Sequence, residues 1–103
     1  MDSGAAASYK GRVKVLVVED EKKIASFVRN GLEERGFVVD VCHRGDEGCE
    51  LATTRCYDVI VLDIMLPGRD GFEVCRDLRR AGVATPILVL TARTHETEKV
   101  MGL

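Results

Sequence analysis

The stretch KVLVVED at positions 14–20 is apolar on consecutive residues and ends in acids. A strand wetted on one side alternates apolar and polar residues, so an unalternating run predicts a strand covered on both faces, as in a parallel sheet. Three more short runs follow: FVVDVC at 37–42, YDVIVLD at 57–63 and ILVLT at 87–91. Asp40, set among apolar neighbours, predicts that the second is a partly wet edge strand. Between the first two runs, Ile24, Ala25, Val28 and Leu32 recur at helical spacing, with Lys22, Lys23, Arg29, Glu33 and Glu34 on the other side. Gly36 then stands where a helix takes a left-handed cap. Residues 46–55 predict a weaker helix, loosened by Gly48, Thr53 and Thr54. Asp70 is placed to cap a helix over 71–81, striped by Val74, Leu78 and Ala81 and ended by Gly82. Thr94 offers a cap to a last helix with Glu96 and Glu98 in its first turn. Strand and helix thus alternate through short loops, and right-handed crossovers make this an open parallel sheet sandwiched by helices. Chemistry in such sheets gathers at the carboxyl ends of the strands.

Composition removes several classes of function. The 103 residues suffice for one domain, and 46% hydrophobic with 31% charged residues fits a soluble globular chain rather than a disordered one. No apolar stretch approaches the length needed to span a bilayer. Residues 1–12 are small and polar, lack the apolar core of a secretory signal, and read as a flexible leader. A net charge of −2 provides no general basic field for nucleic acid. Cys42, Cys49, Cys56 and Cys75 form no C-x-x-C pair, and His43 and His95 add no zinc-finger spacing. The cysteines read as reduced thiols of a cytosolic protein, packed as small hydrophobes.

The acids carry the chemical information. Glu19 and Asp20 end the first strand and Asp63 ends the third. Were those strands neighbours, three carboxylates would converge and raise one another's pKa unless a cation joined them. Oxygen ligands with an open position suit Mg²⁺, which accepts few carboxylates and keeps waters or a phosphate. The competing reading is that Glu19 and Asp20 merely cap the next helix. Thr91, followed by small Ala92, ends the fourth strand; taken alone such a threonine is more often a helix cap or filler, but its hydroxyl could reach a phosphoryl oxygen. Pro67-Gly68 forms a tight turn on the rim of the acid pocket.

Three blocks, VLVVEDE at 15–21, DVIVLDIMLPGRDGFEV at 58–74 and PILVLTAR at 86–93, together with their spacing, resemble the receiver domains of two-component response regulators. The resemblance runs from Lys14 to the last residue. LDIMLPGRDG and ARTHETEKVMGL are most similar to receivers that carry a winged-helix DNA-binding output domain. It implies a three-layer α/β/α flavodoxin-like fold with strand order 2-1-3-4. It also implies that Asp63 accepts a phosphoryl group from a sensor histidine kinase and that Asp20, Asp63 and the backbone carbonyl of Met65 ligate Mg²⁺. Glu19 would act through a water, and Thr91 would be the switch hydroxyl. Such a cytoplasmic signalling domain is no enzyme beyond its own phosphorylation and dephosphorylation, and it would switch a transcriptional output outside this chain.

The family's fifth strand, with a phosphoryl-pairing lysine, and its fifth helix find no counterpart here. The domain over 13–103 is therefore expected to be incomplete at its C-terminal side. Lys10, Lys14, Lys22, Lys23 and Lys99 lie away from that lysine's motif position. An uncovered sheet edge would favour a homodimer or a strand-exchanged assembly, so a pure assembly module is one rival function. Mg²⁺-dependent phosphohydrolases that form an aspartyl phosphate commonly place a second acid two residues past the nucleophile, where this chain has Met65. No G-x-G-x-x-G or G-K-[ST] follows a strand, which argues against a nucleotide site.

Overall fold

The computed structural model describes residues 11–90. The expected leader, save its last two residues, and the expected final helix lie outside them. Seven elements alternate along the described residues: β1 (Lys14–Val18), α1 (Lys22–Glu34), β2 (Val38–Cys42), α2 (Gly45–Thr54), β3 (Val59–Asp63), α3 (Gly71–Arg80) and β4 (Ile87–Leu90). The strands form one parallel sheet in the order β2-β1-β3-β4. That is the expected doubly wound order, and it makes β1 and β3 the central pair. In register, Val18 stands beside Cys42 on one side and Leu62 on the other.

The unalternating run in β1 has the cause the sequence suggested. Val15, Leu16, Val17 and Val18 are all 1% exposed or less, so both faces of the strand are covered. Leu16 and Val18 join Ile60, Leu62, Ala52, Val74 and Leu78 in the main core, under α2 and α3. Val15 and Val17 point to the opposite face, toward α1, whose buried residue is Ala25. Each such aliphatic side chain contributes roughly 1.5–3 kcal/mol of burial. Cys42 belongs to this core, and burial pushes its thiol up to about 12. Cys49 and Cys75 pack against the core's margin, whereas Cys56 is exposed.

β2 is the wet edge that Asp40 foretold. The Asp40 carboxylate accepts a 2.6 Å hydrogen bond from the Tyr57 hydroxyl and lies 3.4 Å from Arg55 and 4.0 Å from Lys14. β3 accordingly begins at Val59, two residues later than the apolar pattern suggested. Tyr57 is buried with its hydroxyl carried to Asp40, and the Asp58 carboxylate takes the Lys14 amide at 2.8 Å. Thr53 and Thr54 donate their hydroxyls to carbonyls one turn back, which settles two residues that weaken α2 on paper.

α3 starts at the predicted cap: Asp70 Oδ1 accepts the Glu73 amide at 2.9 Å. It stops one residue early, with Ala81 as an exposed C-cap instead of the last member of the apolar stripe. Gly36 (φ 94°) and Gly82 (φ 86°) supply the left-handed turns after α1 and α3. β4 borders the sheet among the described residues, and its neighbouring Leu88 and Val89 are 61% and 50% exposed.

Candidate functional site

The central strands deliver the acids to one place. β1 ends at Val18 and β3 at Asp63, so parallel pairing sets the Glu19-Asp20 step beside Asp63 at the carboxyl edge of the sheet. A carboxylate oxygen from each of Glu19, Asp20 and Asp63 lies within 4.8 Å of the others. Glu19 and Asp63 are each 1% exposed, which no ordinary surface acid is.

The helix-cap reading of Glu19 and Asp20 does not hold. The N-cap of α1 is Glu21, which makes no side-chain cap bond. Glu19 is instead fixed by its neighbours. Its amide donates to the Cys42 carbonyl (3.0 Å) and its carbonyl accepts from His43 Nδ1 (2.8 Å). Its carboxylate Oε2 accepts the Glu21 amide at 2.9 Å, whereas the buried Oε1 has no hydrogen-bond partner among the described residues. Burial first, then the charges of Asp63 and Asp20 and a side-chain contact with Asp20, push the Glu19 carboxyl up to about 7 against the lowering effect of the Glu21 amide. A cation set among the three acids would reverse that penalty. Clustered oxygen donors with a buried, unsatisfied oxygen are the chemistry of a hard divalent ion, so the residues present fit Mg²⁺.

The remaining expected positions divide. Met65 lies two residues past Asp63 in the β3–α3 loop, with its side chain 60% exposed. Pro67 and Gly68 follow in the same loop, with the Pro67 carbonyl accepting the Gly45 amide at 3.0 Å. Thr91 lies outside the described residues.

Two contributors were missed by the sequence reading, Gly45 and Gly71. The Gly71 amide donates to the Ile64 carbonyl at 2.6 Å, and a Cβ there would stand 2.6 Å from the Asp63 carbonyl oxygen. At Gly45 a Cβ would run into the Arg69 carbonyl. Gly71 was legible as a helix start, and Gly45 lies one residue before the expected start of its helix, at the observed start of α2; neither was legible as a point of close backbone approach, because its partner is a distant or looping segment.

A doubly wound parallel sheet with an acid cluster at its central carboxyl edge defines the receiver class of signalling domain. Residues 15–103 match the response regulator receiver domain family, and the chain belongs to it. It is 46% identical over 91 residues to the transcriptional regulatory protein DltR of Streptococcus agalactiae, covering 88% of this chain and 41% of DltR. The chain spans about two fifths of the length of the curated relatives it matches. Among solved structures, the receiver domain of the Francisella response regulator 1452 is 40% identical with a TM-score of 0.76, covering 88% of this chain and 75% of that one. The receiver domain of the sensor histidine kinase PA1611 from Pseudomonas aeruginosa, solved with magnesium coordinated in its active-site cleft, is 27% identical with a TM-score of 0.76, over 86% of this chain and 75% of that one.

Proposed function

We propose that this receiver accepts a phosphoryl group on Asp63 from a phosphohistidine of a sensor histidine kinase and thereby switches a transcriptional output. The observation that carries the reading is the burial of Asp63 against Glu19 and Asp20, within 4.8 Å, at the carboxyl ends of the two central strands. Asp20 and Asp63, with the Met65 backbone carbonyl, would hold Mg²⁺, and Glu19 would reach it through a water. When bound, the ion balances the carboxylate charge and draws the phosphoryl oxygens toward it. The chain's own contribution is positioning. Asp63, buried at the end of β3, would present its carboxylate to the donor with little reorientation.

In the transfer, an Asp63 carboxylate oxygen forms a bond to phosphorus as the donor's P–N bond breaks, and the electron pair leaves on the imidazole nitrogen. The acyl phosphate formed adds negative charge and acceptor oxygens beside Asp63, and the family resemblance assigns the switching contact to the Thr91 hydroxyl. Transfer is stoichiometric, so the domain is a phosphoacceptor rather than a turnover enzyme. A transcriptional output is supported by relatives such as DltR, whose length extends well beyond the matched receiver. A cytoplasmic site of action follows from the same reading. Among the described residues, no helix is long and apolar enough to cross a membrane.

The deciding measurement is intact mass after incubation with a small-molecule phosphodonor and Mg²⁺. The expected result is one adduct on the native chain, lost in Asp63→Asn and hydrolysed at alkaline pH as an acyl phosphate would be. An adduct that survives Asp63→Asn would move the chemistry elsewhere. No adduct on the native chain would leave this fold as a binding module.

A further inference from the structure

The β3–α3 loop that follows Asp63 is propped from outside the acid cluster. The first turn of α2 sits directly beneath it. The Gly45 amide donates to the Pro67 carbonyl at 3.0 Å, and the Gly45 Cα is so close to Arg69 that a Cβ would collide with the Arg69 carbonyl oxygen and lie 2.7 Å from its carbon. One residue to either side, Arg44 and Asp46 form an ion pair at 3.0 Å and 3.1 Å. That pair fills the space beside Gly68 (φ 86°), where a Cβ would stand 2.7 Å from Arg44 Nη2 and 2.9 Å from Asp46 Oδ1. The turn is braced in its own right. Gly48 donates its amide to the Arg44 carbonyl at 2.9 Å, and a Cβ at Gly48 would be 2.8 Å from Val18 Cγ2. Val18 is the last residue of β1, immediately before Glu19.

A continuous line of close contacts therefore runs from the end of β1, through Gly48 and Gly45, to the loop, and back through Gly71 to the Asp63 backbone. The start of α2 thus lies against both the end of β1 and the loop that follows β3, in addition to the β1–β3 ladder. What α2 supplies is absence of volume at Gly45 and a hydrogen bond to Pro67.

We infer that Gly45 is a positioning residue for the acid site, setting the height of the 64–70 loop above Asp63 and so the placement of the Met65 carbonyl. This inference rests on the phosphoacceptor reading and adds to it a control point one helix away. Outer-shell supports of a metal site typically change affinity by about 10–100-fold when removed. The expected effect of Gly45→Ala is thus a loss of Mg²⁺ affinity on the order of tenfold. Gly31→Ala is the control, since a Cβ at Gly31 on α1 meets nothing within 4 Å.

The test is a Mg²⁺ titration of the full chain followed by amide shifts of Asp20 and Asp63, with urea unfolding and hydrogen exchange of the Gly45 amide alongside. Native chain and Gly31→Ala should share one Mg²⁺ midpoint. Gly45→Ala should bind more weakly, shift the metal-free amides of the 64–70 loop, and lose protection at position 45. A purely structural glycine would lower the unfolding midpoint yet leave the Mg²⁺ midpoint of the folded protein unchanged, and that result overturns the inference. Should Gly45→Ala not fold, Asp46→Ala decides alone. It removes the Asp46 carboxylate beside Gly68 without a clash, and it should weaken Mg²⁺ by less than the roughly tenfold lower limit of such effects. An unchanged midpoint there overturns the inference. Native chain that shows no Mg²⁺ shift at Asp20 and Asp63 overturns the phosphoacceptor reading itself. Native binding with unchanged variants overturns only the role of Gly45.

Discussion

Glu19 shows how far one carboxyl can be moved by its surroundings. It is 1% exposed, faces Asp63 and Asp20, and is pushed from its ordinary 4.5 up to about 7. Between those two values the folded chain keeps a proton that the unfolded chain has already released. Stability in the absence of metal therefore falls as pH rises through that window and is lowest above it. Urea unfolding in EDTA should give a midpoint that declines from pH 5 to pH 8, by free energy on the order of 2 kcal/mol. Glu19→Gln, which cannot ionise, should flatten the profile. A midpoint that climbs over the same range would show that Glu19 is stabilised as an anion by some other contact. The sequence marked Glu19 as a member of the acid group. It could not show the burial, which comes from the β1–β2 pairing and the His43 bond to its carbonyl.

At the scale of elements, caps and apolar stripes were legible because they are local. Asp70, Glu73 in the first turn and Arg79 and Arg80 in the last are arranged as the α3 dipole favours. Asp70→Ala should cost about 1 kcal/mol in urea unfolding, the usual value of a lost N-cap bond. Gly31→Ala, in the open interior of α1, should instead gain roughly 0.5–1 kcal/mol. A destabilised Gly31→Ala would mean that α1 carries a contact at that position. α2 was the element read least well, because Gly48 looked like a defect. It is a requirement of packing, since Val18 and Cys42 occupy the space a side chain would need. Helix propensity sees only the chain's own neighbours, whereas the reason for this glycine sits on two strands.

For the whole molecule, Mg²⁺ binding at the proposed site would be linked to folding. The three acids meet only when β1 and β3 are paired, so Mg²⁺ at the cluster should select the folded state. At a free concentration about a hundred times its dissociation constant, the ion should add roughly 2.7 kcal/mol to stability. Thermal unfolding with and without Mg²⁺ checks this, and Asp63→Ala should abolish most of the gain. Equal stabilisation of native chain and Asp63→Ala would assign the effect to ionic strength.

By itself the sequence determined the alternating elements, the doubly covered central strand, the wet edge at Asp40 and the acids that end β1 and β3. All of these follow from periodicity and from what a residue does to its near neighbours. Only the tertiary structure decided that Glu19 would be buried, that Tyr57 would serve Asp40, and that Gly45 and Gly71 would touch the loop beside Asp63. Those outcomes depend on distances between segments far apart in the chain. A one-dimensional pattern holds no record of how closely two backbones will pass, and here that closeness is what shapes the site.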